Sequence, residues 1–425
     1  MSEKTRFQAP RGTHDILPAE APAWQWLEGK FRGLCRLYRY GEIRTPLFEQ
    51  SEVIHRTSGE TSDIVSKETY DLLDRGGDKL TLRPEGTAPV LRAAIEGGLL
   101  ADSPLVRLSY IAPMFRYDRP QKGRFRQHHQ IGVEALGSDD PAIDAEVIAL
   151  SFNILNDLGV AGASLKLNSV GSPDDRPVYR QALVDYFAPQ AEALSEDSRK
   201  RLDTNPLRIL DSKDPRDRRL VEGAPLLSQF LTPENKEHFA AVQGHLDRLG
   251  VPYTLDPYLV RGLDYYTRTA FEWVHGGLGA QTSVGGGGRY NGLVEALGGP
   301  PTPGIGFGMG IERLLLAIAD SGVQPPAEPT ADVYVVAASN ESRDDALLLC
   351  QEARDAGLSA DFDALRRSLK AQMKSAGKCG ARLVLIRGED EMAAGAVTVR
   401  DMISREQQSV PRGDVVRVAR EILSF

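Results

Sequence analysis

The sequence is poor in cysteine and carries no surplus of positive charge. Its 425 residues include only three cysteines, Cys35, Cys350 and Cys379, which are far apart and form no C-x-x-C pair. This set excludes a disulfide-stapled scaffold and fits a reducing compartment. Lysine and arginine number 51 against 59 aspartates and glutamates, which gives a formal net charge of −8. A general polyanion-binding protein usually carries a basic surplus, so any contact with nucleic acid has to be local.

Long apolar runs and several well-known catalytic signatures are also missing. No run approaches the ~20 apolar residues that span a bilayer, and the first twenty residues are too polar for a secretion signal, so we expect a cytoplasmic protein without a membrane segment. The patterns G-x-x-x-x-G-K-[ST], G-x-G-x-x-G, H-E-x-x-H, paired cysteine ligands and G-x-S-x-G do not occur. We therefore expect no protein-bound zinc, and nucleotide phosphates would have to be bound by arginines and exposed backbone.

The prolines of the segment 321–330 predict a linker between two domains, because Pro325, Pro326 and Pro329 break any helix. A catalytic domain over 1–325 and a smaller domain over 331–425 follow from this boundary. In the smaller domain strand-like and helix-like segments alternate, which favours an α/β fold with a largely parallel sheet. The predicted strands are 332–338, 382–386 and 396–400, and the predicted helices are 341–357, 364–377 and 413–423.

The first 320 residues have a different pattern. Strand-like segments come in pairs joined by short polar or glycine-rich turns, 104–118 with 127–136 and 269–274 with 280–284, which favours an antiparallel sheet. Residues from about 171 to 255 resemble surface-rich helices and are expected to form an insertion between core strands. The predicted fold is therefore an α+β catalytic domain with flanking helices, interrupted by a helical insertion.

The hairpin over 114–134 is the first candidate site. The period of two along its return strand places His128, Gln130, Gly132 and Glu134 on one face. Cations surround this face, with Arg116 at the end of the incoming strand. The loop adds Arg119, Lys122 and Arg124. Such a face suits a small zwitterion and a polyphosphate, but it is equally typical of the solvated face of an antiparallel sheet.

Two more segments carry polar groups beside predicted secondary structure. In TLRPEGTAPVLRAAI (81–95), Thr87 is the predicted N-cap and Pro89 lies in the first turn, so the helix starts just after Glu85 and Gly86. A carboxylate there can accept an ammonium group or merely favour the helix dipole. In LVRGLDYYTRTAFEWV (259–274), one guanidinium and two tyrosines suit a polar-aromatic pocket, and a tyrosine-rich core strand is the alternative.

The segment 276–310 is unusually rich in glycine, with fourteen glycines in 35 residues. A packed sheet does not tolerate so many unless something flat or bulky approaches the backbone. Arg313 then follows in the first turn of an apolar helix, beside Glu312. A cation at a helix start is locally unfavourable, which is understandable if an anion binds there.

Taken together and in this order, these segments resemble the class II aminoacyl-tRNA synthetases, and among them the histidyl-tRNA synthetases. FRYDRPQKGRFRQ resembles the family's motif 2, GIGFGMGIERL its motif 3, and LVRGLDYYTRTAFEWV and GGGGRYNGL its two histidine signatures. The likeness runs from RGTHDILP (11–18) through the C-terminal domain. It implies an anticodon-binding C-terminal α/β domain and a homodimer formed through the motif 1 region near 43–60. The implied enzyme ligates L-histidine to its cognate tRNA through a histidyl-adenylate, with ATP and its Mg²⁺ as substrate.

The resemblance assigns the phosphates to arginines. Arg116 and Arg261 are the implied catalytic residues, which hold the α-phosphate from two sides. Arg313 takes the γ-phosphate and covers the adenine, and Arg124 reaches the outer phosphates. His128 lies at the adenine, where the family usually has a phenylalanine. A second departure is the aspartate of FRYD, where glutamate is usual.

The histidine substrate is assigned to a second set of residues. The α-ammonium falls to Glu85, Thr87 and Gln130, and the imidazole to Glu134 and Tyr266. The complete implied set is Glu85, Gly86, Thr87, Arg116, Gln130, Glu134, Arg261, Tyr265 and Tyr266. Hydrogen-bond partners on both ring nitrogens would discriminate strongly, because an analogue would leave a buried polar group unpaired.

Contacts with tRNA are predicted in the last domain. Arg366, Lys370, Lys374 and Lys378 follow i, i+4 spacing on the predicted helix, with Arg367 beside them. Like charges at this spacing repel, so a phosphate partner would relieve them, although a solvated helix face has the same pattern.

Two other functions share parts of this sequence. One is a catalytically silent, histidine-sensing regulatory subunit of ATP phosphoribosyltransferase, and the other is a plain tRNA-binding or stress-sensing module. Relatives of the first kind generally lose the C-terminal domain and degrade the histidine signature, and this chain retains both. The second would need no pocket at Arg261–Tyr266.

Overall fold

Two units, each with its own large sheet, make up the chain: Met1–Pro326 and Ala327–Phe425. The computed structural model describes residues 7–58, 64–210, 212, 214–260, 263–279, 282–327 and 330–424.

The first unit contains eleven described strands and eleven described α-helices. The strands are β1 (Gly41–Glu42), β2 (Phe48–Gln50), β3 (Tyr70–Leu73), β4 (Lys79–Leu82), β5 (Val106–Phe115), β6 (Gln127–Leu136), β7 (Ala163–Ser169), β8 (Thr254–Leu255), β9 (Thr267–His275), β10 (Ser283–Arg289) and β11 (Gly304–Gly310). The helices are α1 (Ala21–Leu37), α2 (Ser51–Ser58), α3 (Thr87–Glu96), α4 (Leu99–Asp102), α5 (Pro141–Asp157), α6 (Arg176–Phe187), α7 (Glu196–Thr204), α8 (Pro215–Val221), α9 (Pro233–Leu249), α10 (Leu293–Ala296) and α11 (Ile311–Asp320). A π-helical turn, Ile64–Glu68, precedes β3, and short 3₁₀ turns are Ala188–Ala193, Pro206–Ile209, Leu227–Gln229 and Gly276–Leu278.

The strands form a large, mainly antiparallel sheet and a small one. The large sheet has the order β1-β5-β6-β11-β10-β9-β7-β8, in which β1–β5 and β7–β8 are parallel and the other pairs antiparallel. The small sheet, β2-β4-β3, is antiparallel. The first predicted strand pair is confirmed, because β5 pairs with β6 along their whole lengths. The second is confirmed as an antiparallel pair of β9 with β10, but the return strand is Ser283–Arg289 instead of 280–284, and residues 280 and 281 lie outside the described residues.

The main core lies between the large sheet and the helices α1, α5, α9 and α11. Its residues include Leu27, Val133, Leu150, Val242 and Ile318, all fully buried. These apolar side chains alternate with polar ones along β6 and recur every three or four residues on the helices, which explains why each element turns one face to the core.

The segment predicted as an insertion packs in two parts. The helices α6 to α8 and their connecting turns surround a separate core that contains Tyr179, Leu183, Phe187 and Ile209. The helix α9 instead contributes to the main core. The part of this segment with its own core therefore ends before α9.

A buried ion cluster joins α5, α9 and β10. Arg289 and Asp144 are fully buried and form an ion pair, and His238 Nε2 lies 3.4 Å from an Asp144 oxygen. Burial raises the pKa of Asp144, but the hydrogen bonds and positive charges of His238 and Arg289 outweigh it, so the net shift is downward. The cluster fixes the end of β10 immediately before Tyr290.

The second unit is a mixed sheet with helices on both faces. Its strands are β12 (Val333–Ala337), β13 (Ala360–Phe362), β14 (Leu383–Arg387), β15 (Ala396–Asp401) and β16 (Gln407–Pro411), in the order β13-β12-β14-β15-β16. Its helices are α12 (Arg343–Asp355), α13 (Leu369–Lys378), α14 (Glu389–Ala393) and α15 (Val415–Leu423). The predicted largely parallel sheet is wrong for half of the pairs, because β15 and β16 are antiparallel additions joined by short connections.

Candidate active site

Glycines on the two adjacent strands β6 and β11 make room for side chains of the site. A methyl group at Gly132 would overlap the ring of Tyr110, one at Gly304 would overlap Tyr290, and one at Gly306 would overlap the carboxyl group of Glu134. The glycine-rich sequence predicts that something flat or bulky approaches the backbone. At these positions that group is a side chain of the protein itself.

Glu134 lies on β6 between these glycines and is fully buried. The hydroxyl of Thr87 donates to one of its oxygens at 2.8 Å, the hydroxyl of Tyr290 donates to the other, and Tyr110 adds a third hydrogen bond. Burial raises the pKa of Glu134 to about 8, since the nearby charge of Glu85 adds to the effect and the hydroxyl donors only partly oppose it. Such a group favours a bound proton or cation.

Glu85 caps the start of α3 with its side chain. Its two oxygens accept hydrogen bonds from the backbone N–H groups of Thr87 at 2.7 Å and Ala88 at 2.8 Å. The predicted N-cap role of Thr87 is wrong, because Gly86 holds that position and the glutamate before it reaches the free N–H groups. Burial raises the pKa of Glu85, and these N–H groups, the Thr87 side chain and Arg116 oppose the shift.

Four tyrosines cluster around Glu134, namely Tyr110, Tyr265, Tyr266 and Tyr290. The ring centroids of Tyr265 and Tyr266 are 4.7 Å apart, and Tyr265 meets Tyr290 edge to face at 5.9 Å. Tyr265 and Tyr266 precede β9, so a tyrosine-rich strand is the wrong description of this segment. Tyr110 and Tyr290 are site residues that the sequence did not predict. Tyr290 had a signal, since it follows the glycine run, whereas Tyr110 is one ring among the apolar residues of β5.

Three guanidinium groups converge beside these carboxylates. Arg116 follows β5 directly, and its Nε donates to the carbonyl oxygen of Pro84 at 2.8 Å. Burial lowers the pKa of Arg124 and of Arg313, and neighbouring cations add to this: Arg116 acts on Arg124, and Arg124 acts on Arg313. The structure thus brings together cations from the end of β5, the hairpin loop and α11.

The hairpin loop holds Arg124 in an ion-pair network. Its guanidinium contacts the carboxylate of Asp118 and lies 3.6 Å from Glu68. Asp118 is the aspartate of FRYD, the residue that departs from the family pattern. The shorter acid therefore still provides an ion-pair partner for the loop arginine.

His128 is a neutral imidazole beside these cations. Burial lowers its pKa to about 3, and the charges of Arg116, His129 and Arg124 add to the shift. Glu312 fixes the strand at the next residue, because its carboxylate accepts the backbone N–H of His129 at 2.9 Å and contacts the ring Nδ1 at 3.0 Å. The sequence analysis did not predict this role for Glu312.

The remaining predicted site residues are placed as follows. Gln130 lies two residues from His128 on the same face of β6, next to Gly308 of β11. Arg261 lies outside the described residues, so its position stays a prediction. The described residues contain no group of three or more histidine, cysteine, aspartate or glutamate side chains arranged to hold a metal ion. No described helix is both long and apolar enough to cross a bilayer.

The basic patch of the second unit differs from its prediction. The helix α13 begins at Leu369, so Arg366 and Arg367 precede it, and Arg366 has a left-handed backbone (φ 55°). Arg367 is ion-paired with Asp363. A single helical row of four cations is therefore wrong. The row that α13 does carry consists of three exposed lysines, Lys370, Lys374 and Lys378.

This fold and site define a class II aminoacyl-tRNA synthetase with a C-terminal anticodon-binding domain. A histidyl-tRNA synthetase family model matches residues 12–314, and an anticodon-binding domain model matches residues 332–422. The chain belongs to the histidyl-tRNA synthetase family.

Individual relatives agree over nearly full length. The histidine–tRNA ligase of Pelotomaculum thermopropionicum is 51% identical over 97% of both chains, and that of Geobacillus sp. is 48% identical over 98% of this chain and 100% of its own. The apo histidyl-tRNA synthetase of S. aureus matches with a TM-score of 0.82 and 38% identity, over 97% of this chain and 99% of that one.

The raised pKa of Glu134 predicts a specific pH dependence of stability. Because the pKa in the folded state, about 8, lies above the ordinary value of 4.5, the contribution of this group is complete below pH 4.5 and is lost as the pH rises to about 8. The slope is about 1.4 kcal/mol per pH unit in this window. We expect the free energy of unfolding of the wild type, measured in urea, to fall from pH 5 to pH 8 relative to Glu134→Gln.

The exposed Glu237 on α9 provides the matched control, since Glu237→Gln should follow the wild type at every pH. A constant difference between wild type and Glu134→Gln across the range would contradict the raised pKa.

Proposed function

We propose that this chain ligates L-histidine to its cognate tRNA in two steps. Histidine and ATP first give histidyl-adenylate and pyrophosphate, and the histidyl group then passes to the 3′ end of the tRNA with release of AMP. One observation carries the proposal: Glu134 is buried among hydroxyl groups and lies close to Glu85. Glu85 in turn lies close enough to Arg116 for the positive charge to lower its pKa. A pocket for a cationic or N–H-bearing group thus adjoins a cluster of guanidinium groups.

The arginines supply the electrostatic part of the first step. An oxygen of the histidine carboxylate attacks the α-phosphorus, and the bond to the bridging oxygen of the leaving pyrophosphate breaks. Arg116 and Arg261 stabilise the charge on the α-phosphate, while Arg124 and Arg313 hold the outer phosphates. Phosphoryl chemistry needs positioned positive charge more than a covalent partner, and a guanidinium offers it in a fixed fork. ATP enters with its Mg²⁺, and we assign no protein ligand to that ion.

The carboxylates and tyrosines select the amino acid. Glu134 and Tyr266 bind the imidazole, with Tyr265 beside them, and Glu85, Thr87 and Gln130 bind the α-ammonium group. The hydroxyls of Tyr110 and Tyr290 keep Glu134 oriented. An amino acid without a ring N–H would leave this carboxyl unpaired, which is costly in a buried site. His128 stacks on the adenine as a neutral ring.

The second candidate, a histidine-sensing regulatory subunit, has less support. The chain carries the complete second unit and the anticodon-binding domain match, and its relatives over nearly full length are named histidine–tRNA ligases. We propose a cytoplasmic location, since the substrates are those of translation.

Exchange of pyrophosphate into ATP tests the reaction. Purified protein should catalyse this exchange with L-histidine and not without it, because the adenylate forms only when the amino acid occupies its pocket. It should then charge one species of a total tRNA pool with histidine. Folded protein that binds histidine but supports no exchange would favour the regulatory subunit.

Arg116→Ala tests the assignment of the α-phosphate. Loss of one positioned donor to a developing charge costs about a hundred- to a thousandfold in kcat, and we expect a loss of this size in histidine-dependent exchange. The exposed Arg417 on α15 provides the control, since Arg417→Ala should exchange at the wild-type rate. A near-wild-type kcat for Arg116→Ala would remove this residue from the mechanism.

Lys370, Lys374 and Lys378 are the proposed tRNA contacts on α13, with Arg366 and Arg367 in the loop before it. The three lysines are exposed, spaced four residues apart, and form no ion pair with a described residue. Like charges at this spacing repel each other, and phosphates relieve that repulsion.

Changing the three lysines to glutamine should raise the KM for tRNA in the charging reaction by about tenfold and reduce its salt dependence, because fewer counterions are released. Exchange without tRNA should be unaffected. The double variant Arg417→Gln/Arg420→Gln, on α15 of the same unit, is the control. If the salt dependence of the KM for tRNA is unchanged in the triple variant, the three lysines do not contact tRNA phosphates.

The small sheet is the proposed contact of a homodimer. It exposes large apolar side chains: Phe48 is 53%, Leu72 41% and Leu73 68% exposed. The double variant Phe48→Glu/Leu73→Glu should sediment as a monomer, because charges in an apolar interface lose their hydration. Leu249→Glu, at an equally exposed leucine of α9, should leave the dimer intact. A monomeric wild type would refute the proposal.

A further inference from the structure

The helical insertion contacts the segment that carries the histidine-site tyrosines. We call residues 263–268 the histidine loop. The guanidinium of Arg208 lies 2.9 Å from an Asp264 oxygen, and the side-chain amide of Asn205 lies 3.5 Å from the same oxygen. Arg176, the first residue of α6, donates to the carbonyl oxygen of Asp264 at 3.4 Å and to that of Tyr266. Side chains from two parts of the insertion therefore converge on two residues of the loop.

The base of the insertion is itself cross-linked. Asp175, 2% exposed, accepts hydrogen bonds from the backbone N–H groups of Ser172 at 2.7 Å and Thr232 at 2.6 Å and from the side chain of Asn235. These residues lie on the two chain segments by which the insertion leaves and rejoins the rest of the first unit. The insertion is thereby held in a defined orientation.

The far end of the histidine loop is tied to the same base. Arg268 has a left-handed backbone (φ 50°), and its N–H donates to the carbonyl oxygen of Gly171 at 2.7 Å. Its guanidinium donates to Asn235 at 2.9 Å and to Glu234 at 2.6 Å. A non-glycine residue stays in this conformation only where its surroundings hold it there. Both ends of the loop are thus positioned by the insertion and its base.

We propose that Arg208 and Arg176 are positioning residues for histidine recognition, which act by holding Asp264 and the backbone of Tyr266. The Arg208 side chain is 11% and that of Asp264 27% exposed, so the ion pair is largely shielded from water. Tyr266 packs on Tyr265, which lies near Glu134, so a shift of the loop changes the surroundings of the proposed imidazole site. The inserted domain is then part of the amino acid site. This inference rests on the proposed function.

The docking of the insertion and the binding of histidine are therefore energetically coupled. A free energy that couples two sites acts in both directions, so anything that displaces the insertion weakens histidine binding, and bound histidine stabilises the docked insertion. Three of the proposed nucleotide arginines, Arg116, Arg124 and Arg313, lie after β5, in the hairpin loop and on α11, outside this contact, and only Arg261 is close to the loop in sequence. The KM for ATP should therefore depend on the contact much less than the KM for histidine.

Steady-state pyrophosphate exchange with Arg208→Met, Asp264→Asn and the double variant tests the proposal. Each single change should raise the KM for histidine by about tenfold, and the double variant should show about the same rise instead of the product, because the two residues act as one pair. The KM for ATP should stay within about twofold of the wild type, and Arg208→Lys should recover part of the histidine affinity because it restores the charge. Arg216→Ala, an exposed ion-pair residue of the same insertion, is the matched control.

The proposal is overturned if Arg208→Met and Asp264→Asn keep the wild-type KM for histidine, if their effects multiply in the double variant, or if the KM for ATP rises equally. Asp264→Asn conserves shape and serves where Arg208→Met does not fold. If the wild type itself shows no histidine-dependent exchange, the proposed function fails. If the wild type catalyses exchange and the variants match it, only the positioning role of Arg208 fails.

Discussion

The burial of one carboxyl group in the middle of a sheet organises the site. Glu134 has no contact with solvent, so the side chains around it have to supply its hydrogen bonds and the strands beside it have to leave room. Thr87, Tyr110 and Tyr290 provide the hydrogen bonds, and Gly306 provides the space. Gly304 and Gly306 of β11 are therefore packing requirements of the site.

A second constraint is the crowding of cations at the loop end of the β5–β6 hairpin. The charge of Arg116 lowers the pKa of Arg124 and the charge of Arg124 lowers the pKa of Arg313, so the cluster needs partners in the absence of substrate. Asp118 and Glu68 pair with Arg124, and the carbonyl oxygen of Pro84 accepts from Arg116. A triphosphate would meet guanidinium groups that are already oriented, and this lowers the entropic cost of binding.

Local patterns in the sequence predicted the hairpin and the order of the segments. They did not predict contacts that a side chain makes with residues outside its own segment. The pairing of β5 with β6 follows from alternation on both sides of a polar loop. The cap of α3 was misassigned because a glutamate two residues earlier outcompetes the threonine hydroxyl. Tyr110 was missed because nothing in β5 marks it until Gly132 of the neighbouring strand is seen to accommodate its ring. The start of α13 was placed too early because Arg366 and Arg367 continue the charge pattern into a loop.

The two buried glutamates differ in what they leave for a ligand. Glu85 accepts two backbone N–H groups at the positive end of α3, so much of its charge is already compensated. The hydrogen bonds to Glu134 come from neutral hydroxyls, and burial together with the nearby charge of Glu85 raises its pKa to about 8. A substrate that brings an N–H or a positive charge to Glu134 replaces the proton that this carboxyl otherwise binds, whereas an apolar side chain leaves that proton in place and gains no hydrogen bond. In the proposed function, the choice of amino acid therefore falls to Glu134, whose donors are neutral, and not to Glu85, whose donors are backbone N–H groups.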